Sequence, residues 1–124
     1  MQKKKAIKVL KPTLREKKRY LVYSLDYFGA NACDYEDVKE QIEKSILGFI
    51  GELGYGKAGV MFIKGSGEKG ILRSSRKYVD HVRTGMMMIN KIDKKDVIVR
   101  TVGLSGSLNK AEKIYDNEKT WSVN

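Results

Sequence analysis

Arg19-Tyr20-Leu21-Val22-Tyr23-Ser24-Leu25-Asp26-Tyr27-Phe28 is the stretch that decides the fold. Leu21, Tyr23 and Leu25 alternate onto one face among aromatic and branched neighbours, the pattern of a half-buried β-strand. Asp34 follows at an N-cap position, with Glu36 and Asp37 in the first turn, where acidic groups meet the positive end of a helix. Val38, Ile42, Ile46, Phe49, Ile50 and Leu53 then recur at helical spacing, and Gly51, Gly54 and Gly56 mark the helix end. Beyond it, Val60-Met61-Phe62-Ile63 and Ile71-Leu72-Arg73 flank Gly65-Ser66-Gly67-Glu68-Lys69-Gly70, which reads as a β-hairpin.

Ser74 or Ser75 is expected to cap a second helix running from about Arg76 to Met88, with Val79, Val82 and Met86 facing inward. Polar residues from Asn90 to Asp96 form a connection to Val97-Ile98-Val99-Arg100-Thr101-Val102, branched enough for a central strand. A short helix follows over Leu108 to Asp116. The order β-α-β-β-α-β predicts an α+β, ferredoxin-like or RRM-like sandwich. Two helices then cover one face of a four-stranded antiparallel sheet, with a short C-terminal helix added. The opposite face is expected to stay available, the face on which RRM domains stack bases. The chain divides into a basic N-terminal arm over 1–14, a single α+β domain over 15–116 and a C-terminal tail over 117–124.

Length and composition bound the rest. With 124 residues, the chain has room for one compact domain. Hydrophobic residues make up 41% and charged residues 32%, and no apolar run approaches the ~20 residues of a membrane span. Met1-Gln2-Lys3-Lys4-Lys5 is basic but leads into no apolar stretch or cleavage site, so no secretory signal is expected and a cytoplasmic location is. Cys33 is the single cysteine, which excludes an internal disulfide and a cysteine-built zinc site. The formal net charge is +10. Nine basic groups (Lys3, Lys4, Lys5, Lys8, Lys11, Arg15, Lys17, Lys18, Arg19) face only Glu16 within the first 20 residues, whereas the remaining residues carry 16 basic and 14 acidic groups. A nearly neutral domain with a basic arm points to a polyanion, because each Lys or Arg placed on a phosphate releases condensed counterions. Nucleic acid is the leading partner class, and the other reading of the arm is a solubilising tail.

The motifs that carry chemistry elsewhere fail here on context. Gly65-Ser66-Gly67-Glu68-Lys69-Gly70 spells G-x-G-x-x-G, but it joins two strands rather than a strand to a helix, so it is a hairpin turn and not a dinucleotide cradle. Gly51-Glu52-Leu53-Gly54-Tyr55-Gly56-Lys57 begins like a P-loop, yet Ala58 stands where a Mg²⁺-ligating Ser or Thr belongs, and the segment closes a helix. His81, the only histidine, sits between Asp80 and Val82 on the second helix and reads as a solvated side chain. Glu36, Asp37, Glu40 and Glu43 share a helix surface with Lys39 and Lys44, the pattern of a solvated face. No catalytic constellation or metal-ligand spacing stands out, so the protein is expected to bind no cofactor. Gly103-Leu104-Ser105-Gly106-Ser107 either binds an anion or caps the last helix, with capping favoured. Met86-Met87-Met88 offers adaptable thioethers for a protein contact, although core packing accounts for at least one of them.

The productive segment is Lys17-Lys18-Arg19-Tyr20-Leu21-Val22-Tyr23, where cations run into an aromatic strand. Arg73, Arg76 and Lys77 lie around the end of the third strand and extend a basic surface. Lys69-Gly70-Ile71-Leu72-Arg73-Ser74 offers no aromatic for base stacking, so backbone and shape recognition is expected.

Four blocks resemble the archaeal ribonuclease P protein component 2 family, related to a eukaryotic subunit of ribonucleases P and MRP. They are Pro12-Thr13-Leu14-Arg15-Glu16-Lys17-Lys18-Arg19-Tyr20, Gly51-Glu52-Leu53-Gly54, Gly70-Ile71-Leu72-Arg73-Ser74 and Val102-Gly103-Leu104-Ser105-Gly106-Ser107. The resemblance implies a non-catalytic subunit assisting a catalytic RNA that removes the 5′ leader of precursor tRNA. It implies that the RNA subunit carries the chemistry and its Mg²⁺, that ribonuclease P protein component 3 is the direct protein partner, and that a heterotetramer can form. Arg15, Lys17, Lys18, Arg19, Tyr20, Arg73, Arg76 and Lys77 are then the candidate RNA contacts. The competing reading is a stand-alone RNA-binding or ribosome-associated module. A small-molecule or acyl-transfer enzyme of the same fold would need a catalytic constellation that the sequence does not offer.

Overall fold

A computed structural model describes residues 17–29 and 31–118. Arg15, the arm over 1–14 and residues 119–124 of the tail lie outside the described residues. The element order is β1 (Lys18–Tyr27), α1 (Tyr35–Ala58), β2 (Met61–Gly65), β3 (Lys69–Ser75), a 3-10 turn (Arg76–Tyr78), α2 (Val79–Met87), β4 (Lys91–Ile92), β5 (Lys95–Ser105) and α3 (Leu108–Asn117). No helix among the described residues is long and apolar enough to cross a membrane.

The α+β class is as expected, but the antiparallel sheet has five strands rather than four, in the order β2-β3-β1-β5-β4. The extra strand arises within the segment read as a plain connection. Asp93 and Lys94 take left-handed φ values of 50° and 67°. Two consecutive residues of that kind make a hairpin turn whose twist suits the flanking strands, so Ile92 pairs with Lys95 and Lys91 with Asp96. Without glycine at either central position, the turn carries no strong signal in the sequence. Ser74 and Ser75 are also corrected, because both are buried in β3 and paired with Arg19 and Lys18 rather than capping a helix. The ladder persists to Ser75, so α2 proper starts only at Val79. Asp34 occupies the N-cap position of α1 without a side-chain capping bond.

Helix α1 breaks where the sequence places its end and then resumes. Gly51 has φ 78° and ψ 170°, a conformation open to glycine and strained for other residues, and a second helical segment continues to Ala58. Against α1, α2 approaches closely at Gly85, where a Cβ would sit 3.1 Å from the Ile46 backbone. The Ser45 hydroxyl donates to the Gly85 carbonyl at 2.6 Å.

Alternation along β1 divides the protein into two cores. Leu21, Tyr23, Leu25 and Tyr27, with Leu72 of β3 and Val97 and Val99 of β5, pack against Val38, Ile42 and Ile46 of α1 and Val79, Val82 and Met86 of α2. Burial pushes the Tyr23 and Tyr27 hydroxyls well above the usual tyrosine range, and Tyr27 donates to the Gly67 carbonyl at 2.6 Å. The other face carries Val22 and Ile71, and here the expectation of an open sheet is overturned. Ala111 of α3 is buried against them, with Ile63, Val102, Ile114 and Tyr115 packed around.

Three features seat α3. A bulge in β5 at the Val22/Tyr23 register shift turns both Val102 and Gly103 toward the helix. Lys69 donates to the Tyr115 and Glu118 carbonyls at 2.7 and 3.2 Å, neutralising the negative helix end. Arg100 joins Asp26 at 2.8 Å to Glu118 at 3.2 Å, and these hydrogen bonds raise the Arg100 pKa further. Gly103 is the closest approach, since a Cβ there would stand 2.7 Å from Ile114 Cδ1. Gly103→Val is therefore expected to cost about 1–3 kcal/mol by overpacking, read as a lower midpoint in denaturant unfolding. An unchanged midpoint would show that α3 does not rest on this strand.

Candidate nucleic-acid interface

Strand register gathers the predicted basic residues at one end of the sheet. Lys18 pairs with Ser75, Arg19 with Ser74 and Tyr20 with Arg73, so the start of β1 lies beside the end of β3. The Arg76 amide donates to the Lys17 carbonyl at 2.8 Å, which extends the pairing past β3 and holds the 3-10 turn with Arg76 and Lys77 next to the incoming chain. Lys17, Lys18, Arg19, Arg73, Arg76 and Lys77, remote in sequence, thus converge because β1 and β3 are antiparallel neighbours.

Charge at this end is unbalanced. Among the described residues, none of these six cations lies within ion-pairing distance of a carboxylate, whereas Arg83, Lys91 and Arg100 do. Lys17, Arg76 and Lys77 are exposed, and Lys18, Arg19 and Arg73 are half-buried. Among the described residues, Arg73 Nε is buried with no hydrogen-bond acceptor. Orphaned polar atoms of this kind are rare in folded proteins and call for a partner. Arg19 Nη1 reaches the Lys18 carbonyl at 3.0 Å, leaving further guanidinium donors for an outside acceptor.

Tyr20 has a different place from the one expected. It is half-buried and packs into the second core beside Val22 and Ile71, so its ring is structural rather than a stacking platform. The covered sheet face leaves base stacking in the RRM manner without a surface, and the end of the sheet is what remains.

Two further segments join the basic end. The loop after β5 passes beside Arg19, with Nη1 3.2 Å from where a Cβ on Gly106 would stand. Ser107 caps α3, its hydroxyl accepting from the Lys110 amide at 3.4 Å, and the Ser105 hydroxyl accepts from the Ser107 amide at 3.0 Å. Capping is thus what the glycine-serine loop does, as favoured from the sequence. At the C-terminus of α1, the Lys18 ammonium approaches Gly59 to 3.9 Å of a Cβ position, which brings the last helical turn with Lys57 toward the same end. The sequence flagged Gly106 only through its loop and gave no sign of Lys57, whose place depends on the helix continuing past Gly51.

A separate apolar surface lies on the helical layer. Phe49, Ile50, Leu53, Gly54, Lys57, Tyr78 and His81 line a groove of about 390 Å³, and Leu53 is 73% exposed. Met86 is in the core, while Met87 and Met88 are 61% and 60% exposed. His81 is solvated, as its sequence context predicts.

Comparison with known proteins supplies the remaining evidence. The Rpp14/Pop5 family pattern matches residues 19–115. Ribonuclease P protein component 2 of Pyrococcus abyssi is 33% identical over 117 residues, covering 93% of this chain and 98% of that protein. The protein of the same name from Methanocaldococcus jannaschii is 34% identical over 106 residues, covering 86% and 78%. Among solved structures, a chain of the cryo-EM structure of yeast ribonuclease MRP superposes with a TM-score of 0.62 at 15% identity, over 75% of this chain and 76% of that one, so the two share a fold.

Proposed function

The chain belongs to the Rpp14/Pop5 family, and we infer from that membership and the basic end of the sheet that it is a protein subunit of ribonuclease P. The observation that carries its role is the convergence of Lys17, Lys18, Arg19, Arg73, Arg76 and Lys77 with no carboxylate partner among the described residues. That surface holds the phosphodiester backbone of the RNA subunit. The RNA carries the chemistry of removing the 5′ leader of precursor tRNA and binds the Mg²⁺ it requires, and the protein binds no cofactor of its own.

The physical mechanism is electrostatic. Where RNA strands crowd, phosphate repulsion is relieved by Mg²⁺ or by fixed cations, and a Lys or Arg already held in place releases counterions as it binds. Lys18, Arg19 and Arg73 stand on the β1–β3 ladder and Arg76 is held by its amide bond to the Lys17 carbonyl, so their backbone loses little further freedom on binding. Less free Mg²⁺ is then needed for the same folded RNA. The strand order without its two-residue β4 is that of a ferredoxin-like sheet, used here from its end rather than its face. We assign the exposed apolar groove around Leu53 to the protein partner, ribonuclease P protein component 3, in an assembly that extends to a heterotetramer. A cytoplasmic location fits this role.

The decisive assay is cleavage of precursor tRNA by the cognate RNA at limiting Mg²⁺, with component 3 present and this chain added or omitted. Cleavage is expected to depend on its addition, and independence would favour a stand-alone RNA-binding module. Neutralising Lys17, Lys18 and Arg19 together is expected to weaken RNA association and flatten the salt dependence by up to about 0.9 log units per duplex phosphate released. An unchanged salt slope would remove the segment from the interface. Leu53→Glu is expected to abolish co-elution with component 3 while leaving RNA affinity in place; retained co-elution would place the protein contact elsewhere.

A further inference from the structure

A second cationic site lies at the far end of β3, built by an irregularity in β2. Phe62 pairs with Leu72 and packs in the main core, so strict alternation would carry Ile63 to the α3 face and return Lys64 to the core. Instead the register shifts between Phe62 and Lys64. Ile63 packs in the second core, and Lys64, opposite Ile71, lies on the α3 face as well. Bulges re-aim side chains in this way. The consequence is that the Lys64 ammonium sits 4.8 Å from the centroid of the Tyr115 ring, which already carries the Lys69 ammonium at 4.4 Å.

Two like charges gathered on one aromatic ring repel each other, and nothing acidic in the described chain balances them. Neither lysine has a carboxylate within ion-pairing distance among the described residues, and Glu118, whose carbonyl accepts from Lys69, gives its carboxylate to Arg100. Lys69 has a structural duty to the Tyr115 and Glu118 carbonyls. Lys64 has none beyond the ring: the bulge brings a half-buried ammonium onto this face and supplies no anion for it. The site lies on the same side of the sheet as the first and at the other end of β3, with Ile71 buried beneath α3 between them. Arg73, Ile71 and Lys69 point to one face at alternate positions of β3, and four residues of strand separate Arg73 from Lys69 by about 13 Å. Arg73 also faces the exposed Met61 across the β2–β3 ladder.

We propose that Lys64 and Lys69, gathered on Tyr115, form a second phosphate contact through which the β2–β3 edge carries one RNA strand away from the basic end of the sheet. The site takes a phosphodiester group without base preference. It rests on the reading of the chain as an RNA-bound subunit of ribonuclease P.

The test measures the salt dependence of association between the full chain, with component 3, and the cognate RNA. Lys64→Gln is expected to lower the log–log slope by about 0.7–0.9, the loss of one phosphate contact. Lys64→Arg should restore it, and Lys44→Gln on the solvated face of α1 should leave it unchanged. Lys64→Met keeps the aliphatic stem against the ring and should repeat the Lys64→Gln result, which separates charge from packing. A wild-type slope in both neutral variants, or an equal loss in Lys44→Gln, overturns the site while leaving the RNA-subunit reading intact. Failure of the wild-type chain to bind the RNA overturns that reading and the site together.

Discussion

Ile114 packs against bare backbone at Gly103, and the rest of this surface depends on that contact. A sheet of this order has two faces, and α1 with α2 covers only one of them. If the second stayed open, aromatic side chains such as Tyr20 would be candidates for base stacking. With α3 lying over Val22 and Ile71, the second face becomes a small core. Polar recognition is displaced to the strand ends. Lys69 and Arg100 hold the C-terminal end of α3, and Ser107 caps its N-terminus, so the helix is fixed at both ends. The helix that closes the face thereby leaves the sheet end as the exposed cationic surface.

Charge is segregated in the same architecture. The exposed surface of α1 carries Glu36, Glu40 and Glu43, an acidic layer that disfavours phosphate. Lys17, Arg76 and Lys77 stand exposed at the basic end, beside half-buried Lys18, Arg19 and Arg73. The exposed Leu53, Met87 and Met88 lie in the helical layer, on the helices that bury the main core rather than on the face under α3. One small domain therefore carries a cationic end and an apolar flank, with Lys57 at the border of the two.

Much of this was legible in the residues, for reasons that differ by element. Alternation in β1 and the 3.6-residue period of α1 are strong local signals, and both elements formed where they pointed. The strand β4 escaped notice because its turn, Asp93-Lys94, adopts left-handed geometry without glycine. Ser74 and Ser75 looked like caps because serine before a helix usually is one, yet β1 pairing claimed both. The seat of α3 was out of reach of periodicity, since it depends on a bulge in β5 and on the absence of a side chain at Gly103. Arg19 and Arg73, both basic positions next to strand signals, are brought close together by β1–β3 pairing. Lys64 gave no such signal, because a bulge reverses the face that alternation assigns.

The central claim is that RNA meets the strand ends while α3 stays seated on the sheet. Backbone amide shifts of the labelled chain, followed as the cognate RNA is titrated in, test it most directly. The perturbed residues are expected to cluster at Lys17–Arg19, Arg73–Lys77, the loop through Gly106 and the Lys64 and Lys69 pair, with Val22, Ile71 and Ala111 unmoved. Large shifts at Val22, Ile71 and Ala111 would mean that α3 lifts and the sheet face itself receives RNA, which would contradict the account.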